Sequence, residues 1–172
     1  MMASKPTKPA CVGTAAPGWY LLALFIIAAD QVTKRLASTH LDYGQPVAIT
    51  EFFDLCLLHN RGAAFSFLSQ AGGWQQWFFG AVAAVVSLVL VVWIYRLPAG
   101  ARTQGLALTL VLSGALGNLL DRLALGHVVD FIHLHYQGHY WPAFNLADSA
   151  ITLGATLLVA GSLFSREDHG HG

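Results

Sequence analysis

Four long apolar runs constrain this chain more than any other feature. They extend from Trp19 to about Ala37, from Trp74 to Ile94, from about Gln104 to Leu120 and from about Leu146 to Phe164. Each is near the ~20 residues with which an α-helix crosses a hydrocarbon layer at its 1.5 Å rise. Lipid offers no partner to backbone N–H and C=O groups, so each run must bond within itself as a helix. Only 10% of the 172 residues are charged, against about 25% in soluble domains, too few to coat a water-facing surface. The formal net charge is zero, which gives no support for a nucleic-acid partner. The fold class read from these features is an α-helical integral membrane protein of one domain. It has four transmembrane helices, at about 18–37, 73–96, 103–122 and 145–164, and a small surface sheet.

The runs are uneven in polarity. The second carries no charge and reads as structural. The first turns polar in its second half, at Asp30, Gln31, Lys34 and Arg35. Asp30 and Lys34 lie four apart, on one helix face, and are expected to pair. The third turns polar late, where Gly114, Asn118 and Asp121 share a face, and small residues there admit a neighbouring backbone. Asp148 falls in the first turn of the fourth. Between the first two runs, residues 44–68 are rich in β-branched and aromatic side chains, with Gly44 and Pro46 as turn signals. They predict short strands on the membrane surface, with Phe52, Phe53, Phe65 and Phe67 dipping into the interface. Residues 123–144, with Trp141 and Pro142, read as a loop that brings Asp130 back to the helix carrying Asp148.

Four crossings put both termini on one side. That side collects Lys5, Lys8, Arg96, Arg102 and Arg166, so the positive-inside rule makes it cytoplasmic. Residues 1–17, which lack a convincing Ala-x-Ala cleavage site, are expected to be a disordered cytoplasmic tail, and 166–172 a second tail. The strands and the 123–144 loop are then periplasmic. The polar helix ends (Asp30/Lys34, Asn118/Arg122, Asp148) gather at the opposite leaflet with Asn60, Arg61, Asp130 and Asn145.

Asp130 sits in Val-Val-Asp-Phe-Ile and Asp148 in Asn-Leu-Ala-Asp-Ser-Ala-Ile. Carboxylates in such settings need a partner or a task. Two that meet cannot both ionise easily, so the pair holds one proton near neutral pH. The ionised member then takes a proton from water, and the protonated member donates to a carbonyl oxygen. Simpler readings stand beside this one: Asp148 as a helix N-cap, Asp130 as a loop acid, Asn118 and Arg122 as donors to loop carbonyls. His127, His133, His135 and His139 invite a metal reading, but no ligand spacing such as H-E-x-x-H accompanies them. Ser66, Ser113 and Ser149 lie outside any G-x-S-x-G motif, and the last two read as helix–helix hydrogen bonders. Cys11 and Cys56 read as ordinary free thiols.

Five blocks, in order, carry a resemblance: Asp30-Gln31-Val32-Thr33-Lys34; Asn60-Arg61-Gly62-Ala63-Ala64-Phe65; Gly114 to Arg122 (GALGNLLDR); Val128-Val129-Asp130-Phe131-Ile132; and Phe144-Asn145-Leu146-Ala147-Asp148-Ser149-Ala150-Ile151. Together they resemble the bacterial lipoprotein signal peptidase (signal peptidase II) family of aspartic proteases, from Trp19 to Phe164. The resemblance implies that Asp130 and Asp148 are the catalytic pair. It implies that Asn60, Gly62, Asn118, Arg122 and Asn145 line the site, with Asp30 and Lys34 supporting it. It further implies a monomeric enzyme of the bacterial inner membrane. That enzyme cuts signal peptides from prolipoproteins before a diacylglyceryl-modified cysteine, among membrane lipids, without metal or cofactor, and is blocked by globomycin-type inhibitors.

Two other classes fit less well. A proton-coupled transporter predicts polar residues through the full thickness and often repeats, whereas here they stop at one end and no repeat is found. A non-enzymatic anchor leaves Asp130 and Asp148 unexplained.

Overall fold

The computed structural model describes residues 16–62 and 74–167. The expectations for Cys11, Phe65, Phe67, Ser66, most of the first tail and the end of the second lie outside these residues. The chain runs α1 (Ala16–His40), β1 (Val47–Thr50), β2 (Phe53–Asn60), α2 (Trp74–Tyr95), α3 (Arg102–Leu125), β3 (Val128–Tyr136), β4 (His139–Tyr140) and α4 (Leu146–Glu167). All four helices are long and apolar enough to cross a membrane. Their outward faces carry the bare apolar side chains expected of helices that meet lipid, such as Phe25, Val85, Leu88 and Val159.

α3 is the centre of the bundle. In its most apolar stretch 56% of the residues are buried, against 17% in each other helix. The sequence prepares it for this with small residues on its contact faces. A Cβ on Gly114 would overlap the Ala147 carbonyl of α4, and one on Gly154 would lie 2.6 Å from the Ala107 carbonyl of α3. The two backbones therefore touch along the α3–α4 contact, as small residues allow between helices in lipid. Away from the sheet, Ala23, Leu90, Ile94, Leu97, Leu108 and Leu112 form an apolar core, with Trp19 and Leu158 packed against it. Tyr20 ties α1 to α2 there by donating to the Val91 carbonyl at 2.9 Å.

The four strands form one antiparallel sheet in the order β1-β2-β3-β4. It lies at the bundle end where α1 and α3 finish and α4 begins. The stretch 123–144, expected as a loop, supplies half of it. β3 has the β-branched and aromatic content of a strand, and its buried first residues Val128, Val129 and Asp130 pack under the helices. Gly126 (φ 75°) turns the chain out of α3, its N–H donating to the Arg122 carbonyl at 3.1 Å. Tyr136 faces His139 across a two-residue turn in which Gln137 (φ 48°) and Gly138 (φ 80°) both have positive φ. Such a turn matches the twist of a hairpin. Beyond it Phe144 bonds both ways with Ile132, 3.0 Å from its N–H and 2.9 Å to its carbonyl. This pins the start of α4 against β3. The hairpin tip is aromatic and bare: Tyr136, Tyr140 and Trp141 are 70%, 62% and 69% exposed. Phe52 is exposed as expected of an interfacial side chain, whereas Phe53 is half-buried.

The tight α3–α4 contact makes a prediction. Gly114→Val forces the helices apart and lowers stability by about 1–3 kcal/mol, as overpacking does. Gly80→Ala, whose added methyl meets only Leu119 at 3.8 Å, leaves it unchanged. Thermal unfolding of the detergent-solubilised protein checks this; equal melting temperatures would show that the helices can part without cost.

Candidate active site

The site is built at the first turn of α4, whose N–H groups have no partner in their own helix. Asn145 caps it. Its Oδ1 accepts from the Asp148 N–H at 2.9 Å, and Asp148 Oδ2 accepts in return from the Asn145 N–H at 3.3 Å. This is a capping box in which the asparagine is the N-cap and the aspartate sits three residues in. Asp148, read most simply from the sequence as an N-cap, lies three residues inside the helix, and the cap is Asn145. The Ala147 N–H is satisfied from another helix, by Asp30 Oδ1 of α1 at 2.9 Å.

Asn145, wholly buried, has further donors to give. Its Nδ2 lies 2.7 Å from Asp130 Oδ1 and 3.2 Å from the Val129 carbonyl. One asparagine therefore donates to both aspartates, through its side chain to Asp130 and through its backbone to Asp148. The second oxygen of Asp148, Oδ1, accepts from Asn118 Nδ2 of α3 at 2.7 Å.

Behind this pair lies a buried ion cluster. Lys34, with 3% of its side chain exposed, places Nζ 2.9 Å from Asp30 Oδ2 and 2.9 Å from Asp121 Oδ2. It also donates to Asn118 Oδ1 at 2.9 Å. Gln31 Nε2 bridges the two carboxylates, 2.9 Å from Asp121 Oδ1 and 3.2 Å from Asp30 Oδ2. A Cβ on Gly117 would stand 2.6 Å from Asp30 Oδ2, so only glycine lets Asp30 come this close to α3.

On the sheet side, Asp130 pairs with Leu58 and Val128 with Asn60, so Asn60 ends β2 beside Asp130. The Gly62 N–H donates to Asn60 Oδ1 at 2.9 Å, leaving the Asn60 amide nitrogen for Asp130. Gly62 holds φ 94°, and a Cβ there would meet the Phe79 ring at 2.7 Å. Both conditions require glycine. Arg122, whose positive charge acts on Asp148, Asp130 and Asp121, donates from Nη1 to the Asn118 carbonyl at 3.2 Å and lies over the Phe79 ring. Its buried Nε has no partner among the described residues. Burial pushes the Asp130 carboxyl up to about 7, and the charge of Asp148 acts the same way. Hydrogen bonds from Asn60 and Asn145 and the charge of Lys34 pull it back. A carboxyl held there keeps its proton close to neutral pH. Beside a second carboxylate it can form a pair with one acid and one base.

All nine residues expected at the site thus belong to one connected group. Gln31, Asp121 and the Val129 backbone were not expected in it. For Asp121 the signal was present, since it shares a face of α3 with Asn118. Ser113 and Ser149 do not link helices: each donates to its own helix, to the Leu110 and Asn145 carbonyls, because a serine in a helix reaches its own preceding turn. The histidines are dispersed. His127 stacks on His59 with centroids 3.9 Å apart. Burial, then the charges of His127 and Arg61, lower the His59 pKa. His133 and His135 lie under Tyr140, with His135 Nε2 3.2 Å from Asp54 Oδ2. Among the described residues no three His, Cys, Asp or Glu side chains group as metal ligands.

The chain is similar to known proteins in sequence and in fold. The family described as signal peptidase (SPase) II matches residues 22–164. The lipoprotein signal peptidase of Teredinibacter turnerae is 57% identical over 150 residues, covering 87% of this chain and 89% of the relative. That of Acinetobacter baumannii is 54% identical over 146 residues, covering 85% and 83%. That of Paraburkholderia phytofirmans is 48% identical over 163 residues, covering 95% and 94%. A bacterial membrane enzyme solved by the in meso method at 2.3 Å resolution superimposes with a TM-score of 0.78 at 28% identity, over 94% of this chain and 96% of that one. A second, at 1.9 Å, gives 0.76 at 30% identity, over 91% and 98%. The match spans all four helices and every residue of the site, and the chain belongs to the signal peptidase II family, membrane-embedded aspartic proteases that remove signal peptides from prolipoproteins.

Proposed function

We propose that Asp130 and Asp148 are the catalytic pair of this peptidase, acting on water without a covalent intermediate. The observation that carries the reading is Asn145, which donates to both carboxylates and so holds them at one place. Asp148 accepts on both oxygens, from Asn118 and from the Asn145 backbone, and we assign it as the ionised member. Asp130, raised to about 7, suits the member that keeps the proton. Asp148 then draws a proton from a water while the water oxygen attacks the scissile carbonyl carbon. Asp130 gives its proton to the carbonyl oxygen, and a tetrahedral diol forms. Collapse returns a proton from a diol hydroxyl to Asp130, while Asp148 passes its proton to the leaving nitrogen. Each carboxyl ends as it began. Asn60, with Gly62, and Arg122 border the pair and hold the extended substrate backbone. Polar side chains there make non-helical chain tolerable near lipid.

The substrate bond is the one before the lipidated cysteine of a prolipoprotein, the acyl chains staying in the bilayer. The enzyme works as a monomer in the bacterial inner membrane. Both termini are cytoplasmic, the sheet and site lie at the periplasmic leaflet, and globomycin-type inhibitors occupy the same site. The basic residues at the bundle end away from the sheet support this orientation.

Three measurements test the proposal. Asp130→Asn and Asp148→Asn each cut turnover of a diacylglyceryl-modified substrate by about 10³-fold or more, within the range of general acid–base effects, while the protein still inserts and folds. Substantial turnover by either variant excludes the pair. The rate also depends on pH in a stated direction. The Asp130 proton is retained below about 7 and lost as pH rises through that value, so kcat falls on the alkaline side. At low pH protonation of the second carboxyl removes the base, giving a bell whose limbs belong to the pair. A kcat still climbing past neutrality contradicts the assignment. Finally, chelator treatment leaves kcat unchanged; a loss restored by zinc would bring the histidines into the chemistry.

A further inference from the structure

Asp121 takes no part in the reaction as just written, yet it is linked to both halves of the pair, through the Val129 N–H on one side and through Lys34 and Asn118 on the other. It is on α3, and 3% of its side chain is exposed. Its Oδ1 accepts from Gln31 Nε2 of α1 at 2.9 Å. Its Oδ2 faces Lys34 Nζ of α1 at 2.9 Å and accepts from the Val129 N–H of β3 at 3.1 Å. Val129 is joined by a peptide bond to Asp130. Lys34 leads the other way, to Asn118 Oδ1 at 2.9 Å, and Asn118 Nδ2 leads to Asp148 Oδ1 at 2.7 Å. An ammonium only donates, so it accepts no other end of the Asn118 amide than its oxygen. That choice turns the amide nitrogen towards Asp148. The ammonium is itself kept in place by Asp30 and Asp121.

We propose that Asp121 is a positioning residue for peptide cleavage. It ties the backbone beside Asp130 to the Lys34–Asn118 chain that ends on Asp148, and so acts with Asn145 in setting the separation and the facing of the two carboxylates. The inference rests on the reading of Asp130 and Asp148 as the reacting pair. A merely structural carboxylate would affect how much protein is folded. A positioning residue affects how fast folded, substrate-loaded protein reacts, since misplacement by an ångström can cost roughly 100-fold. Asp121 is buried and both its oxygens are engaged within the protein, so its effect falls on kcat and spares KM.

The test uses the full chain in detergent with a diacylglyceryl-modified prolipoprotein substrate. Asp121→Asn is expected to lower kcat by about 100-fold with KM within about two-fold. Leu108→Ala, in the apolar core at the other end of the bundle, serves as a control that loses stability but keeps kcat per folded molecule. Asp121→Glu keeps the charge beside Lys34, so it folds, and displaces the Val129 contact; its kcat falls by about ten-fold. Combining Asp121→Asn with Asn118→Ala gives a loss smaller than the product of the single losses, because one acts partly through the other. The proposal is overturned if either folded Asp121 variant turns over like wild type, if the loss lies in KM, or if it tracks folded fraction as in Leu108→Ala. Multiplicative losses in the double variant overturn the Asn118 route. An active Asp130→Asn variant, in contrast, would remove the catalytic pair itself.

Discussion

A buried ammonium organises this end of the molecule. Lys34 is surrounded by two carboxylates and one amide oxygen drawn from α1 and α3, and a charge so placed holds its partners firmly. Removing one member of such a buried cluster typically costs about 3–5 kcal/mol, because it leaves the others unpaired. The helices must therefore approach closely enough to complete it. Two glycines on α3 let neighbours come close, Gly117 against Asp30 of α1 and Gly114 against Ala147 of α4. The small-residue contact and the ion cluster are one design: backbones that touch, so that short carboxylates can reach across.

The same economy governs the start of α4. A helix beginning next to lipid has donors to satisfy, and here they are satisfied by Asn145, Asp148 and Asp30. The residues that stabilise the helix end are those that hold the carboxylates. Asp130 reaches the same asparagine from β3, where burial holds its proton to near-neutral pH. One residue thus joins a carboxylate on a strand to a carboxylate on a helix.

Much of this was legible from residues alone. The four helices followed from run length, and the Asp30–Lys34 pair from its spacing; the structure places that pair 2.9 Å apart. The gathering of polar residues at one end followed from where polarity enters each run. β3 was not legible as a strand. A nine-residue segment between two helices reads as a loop when its partner, β2, lies some seventy residues earlier, and pairing between distant segments leaves no local periodicity. The signals that remained were its β-branched and aromatic content and the Gln137-Gly138 turn, weak because glutamine is uncommon at positive φ. The part of Asp121 was illegible for a similar reason. Its helix face was visible, but its partners, Gln31 and the Val129 N–H, lie on other elements, and one of them is backbone.

The bare aromatic tip of the β3–β4 hairpin bears on how the enzyme meets membranes of different thickness. Tyrosine and tryptophan settle at the boundary between acyl chains and headgroups. Asn145 comes four positions after Trp141, a span of at most about 14 Å of extended chain. The tip therefore works like a float tied on a short line to the carboxylates. In a thicker or thinner bilayer the mismatch is taken up by tilt, or at the far end of the helices. With Asp130 and Asp148 as the proposed reacting pair, their depth is then set from the aromatic tip rather than from the length of the helices.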